Sequence, residues 1–418
     1  MTKIVVIGLG AAGFGAALAA KKNDRKAEIT IIDEKDFDLM HQCGLPFFLE
    51  GKIKTIDDLK DKINIGVDII LNAPVTSVDT KGKKIVYSKD GKKEEIDYDK
   101  LIITPGTKPF TPLIKTDNKI YTVHNIDDTI EVYKDIKKGN KAIIIGAGAV
   151  GLEVAIALNK KAMDITIMDM AKSTFPKSLD KDMSEIVEEK LKEKGIKLEL
   201  GKKIEEIKEK AMVIMATGVK PKVDFLKDIK IGKFGIEVNE KQETSIKDVY
   251  AAGDSVCVNS YINNEKWPSA LANNAYREGS IAGVNAAGGN KKYPGILGTF
   301  VSLIDDIEIA AVGFNSYFAE LYDIKTITSK VKGKNGPSWY GPAKDLAIKL
   351  IADEKGKLIG GQAIGNGAKE RINILSTAIK AGMTLKDISE LELAYCPAVS
   401  DYYDVLVMAA ELGLRKLK

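Results

Sequence analysis

One cysteine stands in a short segment whose composition favours a reactive thiol. The segment is MHQCGLPFFLEG, residues 40–51, in which Pro46 comes three residues after Cys43. The remaining cysteines, Cys257 and Cys396, lie more than two hundred residues further along the chain. Proline favours the first turn of a helix, so Cys43 is predicted to lie just before a helix N-terminus, where the dipole stabilises a thiolate. The alternative is a small, buried and inert cysteine.

Two other segments carry the glycine pattern that binds dinucleotides. The first, KIVVIGLGAAGFGAALAAKK, is a β-branched run, a turn with Gly8, Gly10 and Gly13, and an alanine-rich helix; Asp33 ends the next short strand. Such glycines let the backbone approach a pyrophosphate at the positive end of a helix, and the acidic residue accepts hydrogen bonds from ribose hydroxyls. The alternative is that the glycines serve only helix–strand packing.

The second glycine segment, KAIIIGAGAVGLEVAIALNKK, repeats the same design in the middle of the chain. It contains Gly146, Gly148 and Gly151, and Asp169 ends the strand that follows. An acidic residue at that place repels a 2′-phosphate and favours NADH over NADPH, although Lys172 lies three residues further on. Two such units imply two different nucleotides, usually a flavin and a nicotinamide, because hydride needs an acceptor between donor and substrate.

The segments between and after these units supply the elements that would position them. Residues 68–100 alternate polar and apolar side chains, which predicts a β-meander. Apolar runs at 100–109, 212–221 and 249–256 predict further buried strands. From 295 to 418 the pattern changes to antiparallel strands and a helix, which predicts a separate domain.

The composition excludes several classes of function. With 418 residues, 44% of them hydrophobic, the chain can form two or three domains with cores. The net charge is only +4 and the charges are interspersed, which argues against a nucleic-acid partner. Three scattered cysteines and two histidines predict no disulfide framework and no zinc or other metal site, as expected for a reduced cytoplasmic chain. Residues 4–20 are uncharged, but their glycines indicate a buried strand–turn–helix unit rather than a membrane anchor.

The motifs occur in a characteristic order along the whole chain. They are GLGAAG, CGLPFF, TPG, GAGAVG, ATG and AAGD, and the C-terminal segment contains WYGPA and YCPAVSDYYD. In this order the chain resembles the pyridine nucleotide-disulfide oxidoreductases. It is similar in particular to the single-cysteine branch, which holds coenzyme A disulfide reductases, NADH oxidases and peroxidases, and persulfide or polysulfide reductases.

The resemblance implies an α/β fold with two Rossmann-like dinucleotide-binding domains, for FAD and NAD, and a C-terminal α+β dimerisation domain. The FAD-binding domain would be discontinuous, at 1–111 and 237–294. The NAD(P)H-binding domain would be at 112–236 and the dimerisation domain at 295–418. The resemblance also implies FAD and NADH as cofactors, with NADPH as the alternative to NADH, and a homodimer with an active site shared across the interface.

The resemblance also implies which residues contact the cofactors. They are Gly8, Gly10, Ala11, Ala12, Gly13, Asp33, Glu34, Gln42, Cys43, Val75, Thr104, Pro105, Gly106, Gly146, Gly148, Val150, Gly151, Glu153, Asp169, Gly218, Asp254, Leu271 and Ala272. Asp254 would reach the ribityl or pyrophosphate region, with capping of a following helix as its alternative role. Leu271 and Ala272 would lie near the flavin ring. Glu153 would line the nicotinamide pocket, with an ordinary surface glutamate as the alternative.

The family relationship also defines the expected role of the single cysteine. Double-cysteine members of the superfamily place a second cysteine where this chain has Phe48, so the redox partner of Cys43 would be an external thiol or oxygen. Reduced flavin would cleave a Cys43–S–S–R bond, and the Cys43 thiolate would attack the next disulfide, persulfide or polysulfide. Oxidase members carry a histidine where this chain has Ala11, which weakens the alternative of an NADH oxidase. His41 could take over the acid–base role of that missing histidine. The other interpretation is that His41 is an exposed loop residue.

Two other classes of function remain open from the sequence. A reductase of a small electron-transfer protein would need no reactive cysteine, and a non-catalytic redox sensor would show slow turnover. In the family, tyrosines of the partner subunit reach the substrate sulfur, and Tyr340 and Tyr395 carry over to these positions. Cys396, beside Tyr395, would be either a resolving thiol across the interface or a small buried cysteine next to Pro397.

Overall fold

The computed structural model describes residues 1–417. Within them the strands, in chain order, are β1 Lys3–Ile7, β2 Glu28–Ile32, β3 Leu39–Met40, β4 Lys60–Asp61, β5 Asp68–Ile70, β6 Val75–Asp79, β7 Lys84–Lys89, β8 Lys92–Asp97, β9 Lys100–Ile103, β10 Thr107–Pro109, β11 Ile120–Tyr121, β12 Lys141–Ile145, β13 Asp164–Asp169, β14 Lys197–Leu200, β15 Met212–Met215, β16 Val219–Pro221, β17 Ile231–Gly232, β18 Gly235–Glu237, β19 Val249–Ala251, β20 Val256–Asn259, β21 Lys266–Pro268, β22 Phe300–Ile304, β23 Ile307–Gly313, β24 Thr326–Lys334, β25 Asp345–Asp353 and β26 Leu358–Gly365.

Most helices lie between strands, and the last three helices follow the last strand, β26. In chain order they are α1 Ala11–Asn23, α2 Leu45–Glu50, α3 Ile126–Asp135, α4 Ala149–Asn159, α5 Lys181–Glu193, α6 Ala272–Ala286, α7 Ser316–Leu321, α8 Ala368–Ala381, α9 Leu385–Ser389 and α10 Val405–Leu414. A short 3-10 helix, Gln42–Gly44, leads directly into α2.

The chain folds into two compact units, each of which is built from several segments. Unit 1 contains residues 1–45, 53–110 and 218–296, and unit 2 contains residues 46–52, 111–217 and 297–417. The three-domain division expected from the sequence remains a prediction. In unit 1 all three segments contribute strands to one parallel sheet.

Unit 1 is organised by a five-stranded parallel sheet in the order β19-β9-β1-β2-β5. When the five strands are numbered along the chain and the sheet is read from β5 to β19, the order is 3-2-1-4-5, which is typical of dinucleotide-binding sheets. Alternate residues of β1 face opposite sides: Ile4 and Val6 pack with α1 and α6, whereas Val5 and Ile7 pack with the meander side. Burial on both faces explains why β1 is a continuous apolar run.

The predicted β-meander of unit 1 is confirmed for residues 75–97, whereas Asp68–Ile70, at the start of the predicted range, joins the parallel sheet instead. Strands β6, β7 and β8 form a three-stranded antiparallel sheet in sequence order. The turn between β7 and β8 has left-handed backbone at Asp90 and Gly91, which suits a tight hairpin. Tyr87 and Ile85 of β7 are buried in the core below the parallel sheet, so the meander covers the face of the sheet that α1 leaves open.

Unit 2 contains a second parallel sheet and one antiparallel sheet. The parallel sheet has the order β11-β15-β12-β13-β14, and the antiparallel sheet has the order β22-β23-β26-β25-β24. Helices α8 and α10 pack on the antiparallel sheet, and α8 ends at Gly382, which has a φ of 72°. The predicted α/β fold with two Rossmann-like units and a C-terminal α+β region is therefore confirmed.

No helix within residues 1–417 has both the length and the apolar character that crossing a membrane requires. In the same residues, no group of three or more His, Cys, Asp and Glu side chains is arranged as a metal ion would need.

Candidate active site

The first glycine loop brings the start of α1 against the end of β1. Gly8 has a φ of 94°, and a Cβ on Gly13 would lie only 1.9 Å from the Gly8 carbonyl oxygen. A side chain at either position would push the helix away from the strand. By contrast, a Cβ on Gly10 would meet nothing within 4 Å, and no side chain caps α1. The first amide groups of α1 therefore have no side-chain cap and can donate hydrogen bonds to the pyrophosphate of a dinucleotide.

Asp33 fixes this loop from the neighbouring strand. It follows β2 directly, is buried, and accepts a hydrogen bond from the Leu9 amide. Its other oxygen accepts from the Lys35 amide at 2.8 Å, and the Lys35 ammonium lies 2.6 Å from the carboxylate. An adenosine ribose would have to share this carboxylate with Lys35, a contact that could not be expected from the sequence. Glu34 is exposed and pairs with Lys222.

Two further predicted residues lie at the carboxyl ends of β9 and β19. The Thr104 hydroxyl donates to the carbonyl oxygens of Ile7 at 2.8 Å and Gly8 at 3.0 Å, which holds β9 against the glycine loop. Asp254 follows β19 and is largely buried, and burial raises the pKa of its carboxyl to about 6. No described side chain donates a hydrogen bond to Asp254, so its carboxyl is available to the hydroxyls of a ligand.

The alternative role of Asp254, capping a following helix, is wrong. The residues after it form a strand, Val256–Asn259, which leaves no helix N-terminus to cap. Together, the uncapped start of α1, the open side of Gly10 and the Asp254 carboxyl fit a dinucleotide such as FAD.

The other predicted residues of unit 1 lie in loops or at element ends. Gln42 is exposed in the 3-10 helix, Val75 begins β6 and is half-buried, and Pro105 and Gly106 follow β9. Leu271 is the residue before α6, and Ala272 is its first residue. Ala11 and Ala12 form the first turn of α1.

Two polar residues near the start of α6 were missed by the sequence analysis. The side-chain nitrogen of Asn274 is buried and has no hydrogen-bond partner in the described part of the chain. Glu278, one turn later, is fully buried. The only signal in the sequence was the presence of polar residues within WPSALANNAYREG, which an exposed helix would also show.

Cys43 is exposed and lies in the 3-10 helix Gln42–Gly44, two residues before α2 begins, close to the predicted place before a helix N-terminus. The alternative of a buried cysteine is therefore wrong, and the reactivity of Cys43 stays a prediction. The backbone here is tightly held: the Gly44 amide donates to the His41 carbonyl at 2.9 Å, and a Cβ on Gly44 would lie 2.2 Å from the Leu59 side chain. Pro46 is the second residue of α2.

His41 is exposed, two residues before Cys43, and its Nε2 shares a hydrogen bond of 2.7 Å with the Asp61 carboxyl group. Its amide donates to the Leu59 carbonyl at 2.9 Å, within the short ladder of β3 and β4. The segment that precedes Cys43 is thus anchored by both backbone and side chain.

Phe48, which stands where double-cysteine enzymes have their second cysteine, is buried in unit 2. Its ring centroid lies 5.0 Å from that of Tyr133 in α3. Its role is packing, and no sulfur is available at this place to close a local disulfide with Cys43.

The second glycine loop has the same geometry as the first. Gly146 has a φ of 116°, and a Cβ on Gly151 would lie 2.0 Å from the Gly146 carbonyl oxygen. Gly148 is open on its outer side, and no side chain caps α4. Asp169 accepts hydrogen bonds from the Ala147 amide at 2.7 Å and the Ala171 amide at 2.8 Å. Unit 2 therefore offers a second dinucleotide site. 

Glu153 on α4 is half-buried, so it is not a fully exposed surface glutamate, and its place in a nicotinamide pocket stays a prediction. Burial raises the pKa of its carboxyl, and the hydrogen bond from the Ser302 hydroxyl, at 2.7 Å, partly opposes that change. Ser302 belongs to β22 and is 149 residues away in the chain, so the sequence could not indicate this contact. Val150, one turn earlier, is exposed, and Gly218 of unit 1 is exposed with a φ of 101°.

The predicted tyrosines are at the surface of unit 2. Tyr340 is 60% and Tyr395 is 49% exposed, and each ring contacts an aromatic neighbour, Trp339 and Tyr402 respectively. Cys396 is exposed as well, which contradicts the alternative of a buried cysteine. 

Comparison with known proteins identifies the family of the chain. The chain matches the model of the family "pyridine nucleotide-disulphide oxidoreductase" over residues 2–279, and the model of that family's dimerisation domain over residues 301–405. 

Individual relatives match over nearly their full length. The chain is 37% identical to an NADH oxidase of Methanocaldococcus jannaschii, with 99% of each protein covered. It is 31% identical to an NAD(P)H coenzyme A polysulfide/persulfide reductase of Pyrococcus horikoshii, with 98% of each covered. The solved structure of an NAD-dependent persulfide reductase from A. fulgidus superimposes with a TM-score of 0.94 at 29% identity, covering 99% of this chain and 83% of that one. The chain therefore belongs to the pyridine nucleotide-disulphide oxidoreductase family.

Proposed function

We propose that the protein is an NADH-dependent, FAD-containing reductase of low-molecular-weight disulfides, persulfides or polysulfide. Cys43 is its single redox-active cysteine. The reaction belongs to a reducing compartment, the cytoplasm, since Cys43 and Cys396 are both exposed thiols.

The observation that carries the proposal is the exposed position of Cys43 on a segment held by backbone hydrogen bonds on both sides. The thiol lies between two anchored stretches, the β3–β4 ladder before it and α2 after it. The place of a second cysteine is filled by the buried ring of Phe48. An exposed cysteine without a local resolving thiol can exchange with a sulfur that comes from solution.

The chemistry of Cys43 follows from this arrangement. Its thiolate attacks one sulfur of a substrate R–S–S–R′, the S–S bond breaks, and R′S⁻ leaves with the bonding electron pair and takes up a proton. Cys43 is then held as Cys43–S–S–R. Two electrons and one proton release RSH and restore the thiolate, so one NADH is consumed for each disulfide.

As a member of its family, the chain uses FAD and NAD(P)H. FAD, when bound, accepts a hydride from the nicotinamide and delivers the two electrons that the cysteine disulfide needs. The residues that would hold FAD are the first glycine loop, Asp33, Thr104 and Asp254. Those that would hold the nicotinamide dinucleotide are the second glycine loop, Asp169 and Glu153. The negative charge of Asp169 favours NADH over NADPH.

We further propose that the working enzyme is a homodimer in which each subunit completes the other's active site. The chain carries the family's dimerisation domain. Tyr340 and Tyr395 project from this domain with about half of their surface exposed, and a phenol can donate a proton or a hydrogen bond to a departing thiolate. In this proposal they act on the substrate sulfur bound at Cys43 of the partner.

The test compares acceptors side by side. NADH consumption is measured under nitrogen with coenzyme A disulfide and with polysulfide, and separately in air without added acceptor. The proposal expects faster turnover with one of the sulfur acceptors than with oxygen. It is wrong if oxygen alone supports turnover, or if the purified protein is colourless and cannot be reconstituted with FAD.

An NADH oxidase is the second candidate, because the relative from M. jannaschii carries that name and matches over 99% of the chain. Against this function, the first glycine loop has Ala11, a side chain that cannot donate a proton to reduced oxygen. His41, held by Asp61, is the nearest histidine to Cys43 in the chain. If His41→Gln abolishes oxygen consumption but not disulfide reduction, His41 serves an oxidase activity.

A further inference from the structure

Glu278 is a fully buried carboxyl group that the proposed chemistry does not use. It lies in the middle of α6 and has 0% of its surface exposed. Burying an acidic side chain is costly unless several donors compensate it, so its contacts indicate what it is for.

The contacts of Glu278 reach two segments that the proposed function places against FAD. One oxygen accepts from the Gly253 amide at 3.0 Å, in the turn that carries Asp254. The other accepts from the Ser269 hydroxyl at 2.6 Å, in the segment that leads to Leu271. The Tyr293 hydroxyl lies near the carboxyl group and helps to lower its pKa. One side chain thus joins both segments.

The glycines around Glu278 show how closely these segments pack on α1. Gly253 has a φ of 81°, and a Cβ on it would lie 2.8 Å from the Cβ of Ala12. A Cβ on Gly279, the residue after Glu278, would lie 2.0 Å from the Ala12 carbonyl oxygen. The Gly253–Asp254 turn, α6 and the first turn of α1 are packed so closely that no side-chain atom fits between them at Gly253 or Gly279. A small change in the turn would therefore shift the N-terminus of α1, where the pyrophosphate binds.

We propose that Glu278 is a positioning residue for the FAD site, clamping the Gly253–Asp254 turn and the Ser269–Leu271 segment together against α1. This inference rests on the proposed binding of FAD in unit 1. Glu278 touches neither the cofactor nor the substrate in this proposal; it acts through Gly253 and Ser269.

Because the Glu278 carboxyl group can gain or lose a proton, its role can be detected as a pH dependence of FAD binding, which a residue that only packs would not produce. Burial and the neighbouring Asp254 raise the pKa of Glu278, to about 7, and the hydrogen bonds from Ser269 and Gly253, together with the nearby Tyr293, oppose this. Tyr293, whose own pKa is raised, and Arg277, which acts on Tyr293, are the other titratable groups near it. A neutral carboxyl can keep both contacts, because its carbonyl oxygen accepts from Gly253 and the Ser269 hydroxyl can turn to accept its proton.

The sign of the pH effect follows from charge repulsion. A negative pyrophosphate on α1 disfavours the carboxylate form of Glu278, so FAD binding and protonation of Glu278 favour each other. We expect the affinity for FAD to fall by about tenfold from about pH 6.5 to about pH 8.5 in the wild type. Glu278→Gln, which mimics the neutral form, should bind FAD as tightly as the wild type does at low pH, without this dependence.

The experiment measures the dissociation constant of FAD by flavin fluorescence across this pH range, with apoprotein prepared from the full-length chain. Glu278→Ala removes the clamp and should bind FAD about tenfold or more weakly than Glu278→Gln at every pH. Should the alanine variant not fold, Ser269→Ala takes its place. It removes a donor to the charged form, so the fall in affinity should begin at higher pH. Glu265→Gln, an exposed glutamate of the same unit, is the matched control and should behave as wild type.

The outcomes separate this inference from the proposed function. A wild-type chain that binds no FAD at any pH overturns both. A wild-type chain that binds FAD, together with a Glu278→Gln variant that keeps the same pH dependence or a Glu278→Ala variant of unchanged affinity, overturns only the role of Glu278.

Discussion

Replacing Ser302 by alanine removes the hydroxyl that donates a 2.7 Å hydrogen bond to the Glu153 carboxyl group. Ser302 is 4% exposed, so water cannot easily take the place of the lost donor. Glu153 would keep its position on α4 but lose the contact that favours its charged form. The change therefore tests whether Ser302 controls the protonation of the residue proposed to line the nicotinamide pocket.

The size of the effect depends on the charge of Glu153. A hydrogen bond to a charged group contributes about 1.5–3 kcal/mol, against roughly 1 kcal/mol for a neutral pair. Burial raises the pKa of Glu153, so the folded state is favoured when this carboxyl is protonated and loses stability as pH rises through its folded pKa. Ser302→Ala raises that pKa further. The variant should lose more stability at pH 8 than at pH 4, by about 1 kcal/mol or more.

Two assays check this prediction. Urea unfolding of wild type and variant at both pH values gives the difference in stability. Fluorescence titration with NADH gives the pH dependence of binding, whose midpoint should move upward by about one pH unit in Ser302→Ala and return in Ser302→Thr. Glu153→Gln should abolish the midpoint. Equal stability losses at both pH values, or an unchanged midpoint in Ser302→Ala, would refute the reasoning.

The other predictions concern the two nucleotide sites and the cysteines. Asp33→Ala should weaken FAD binding about tenfold, measured by flavin release on dilution, because the glycine loop loses its Leu9 contact as well as a ribose acceptor. Wild type should show a higher kcat/KM for NADH than for NADPH; the reverse would implicate Lys172 as a phosphate ligand. Oxidised wild type and Cys396→Ala should both run as monomers in non-reducing electrophoresis; a disulfide-linked dimer that vanishes in the variant would make Cys396 a resolving thiol.

The parts of the fold that could be predicted from the sequence are those that depend on the types of residues close together in the chain. Gly13 and Gly151 must be glycine because a Cβ would strike a carbonyl oxygen about 2 Å away. This steric requirement for glycine sets the spacing of the glycines in the motif, so the motif could be recognised from the sequence alone. Cys43 before α2 was predictable for a similar reason, since Pro46 marks the helix start.

The contacts that tune the sites could not be predicted, because they join residues far apart in the chain. Ser302 reaches Glu153 across 149 residues, and neither residue has a neighbour that signals the pair. Asp33 was expected to bind only a ribose, yet its carboxylate already accepts a hydrogen bond from the Leu9 amide and pairs with the Lys35 ammonium. The helix proposed after Asp254 was wrong because a glycine–aspartate turn leads equally well into a strand, and only the sheet partners of β20 decide between them.

The central claim, that Cys43 carries the reducing equivalents to the substrate, is tested most directly by following the two half-reactions of Cys43→Ser separately. Under nitrogen, stopped-flow absorbance at the flavin band should show that NADH reduces the variant about as fast as wild type, while turnover with a disulfide or polysulfide falls by about a thousandfold or more. Cys257→Ala, which removes a buried thiol of unit 1, is the control and should keep both steps. A Cys43→Ser variant that reduces disulfides at the wild-type rate would contradict the account.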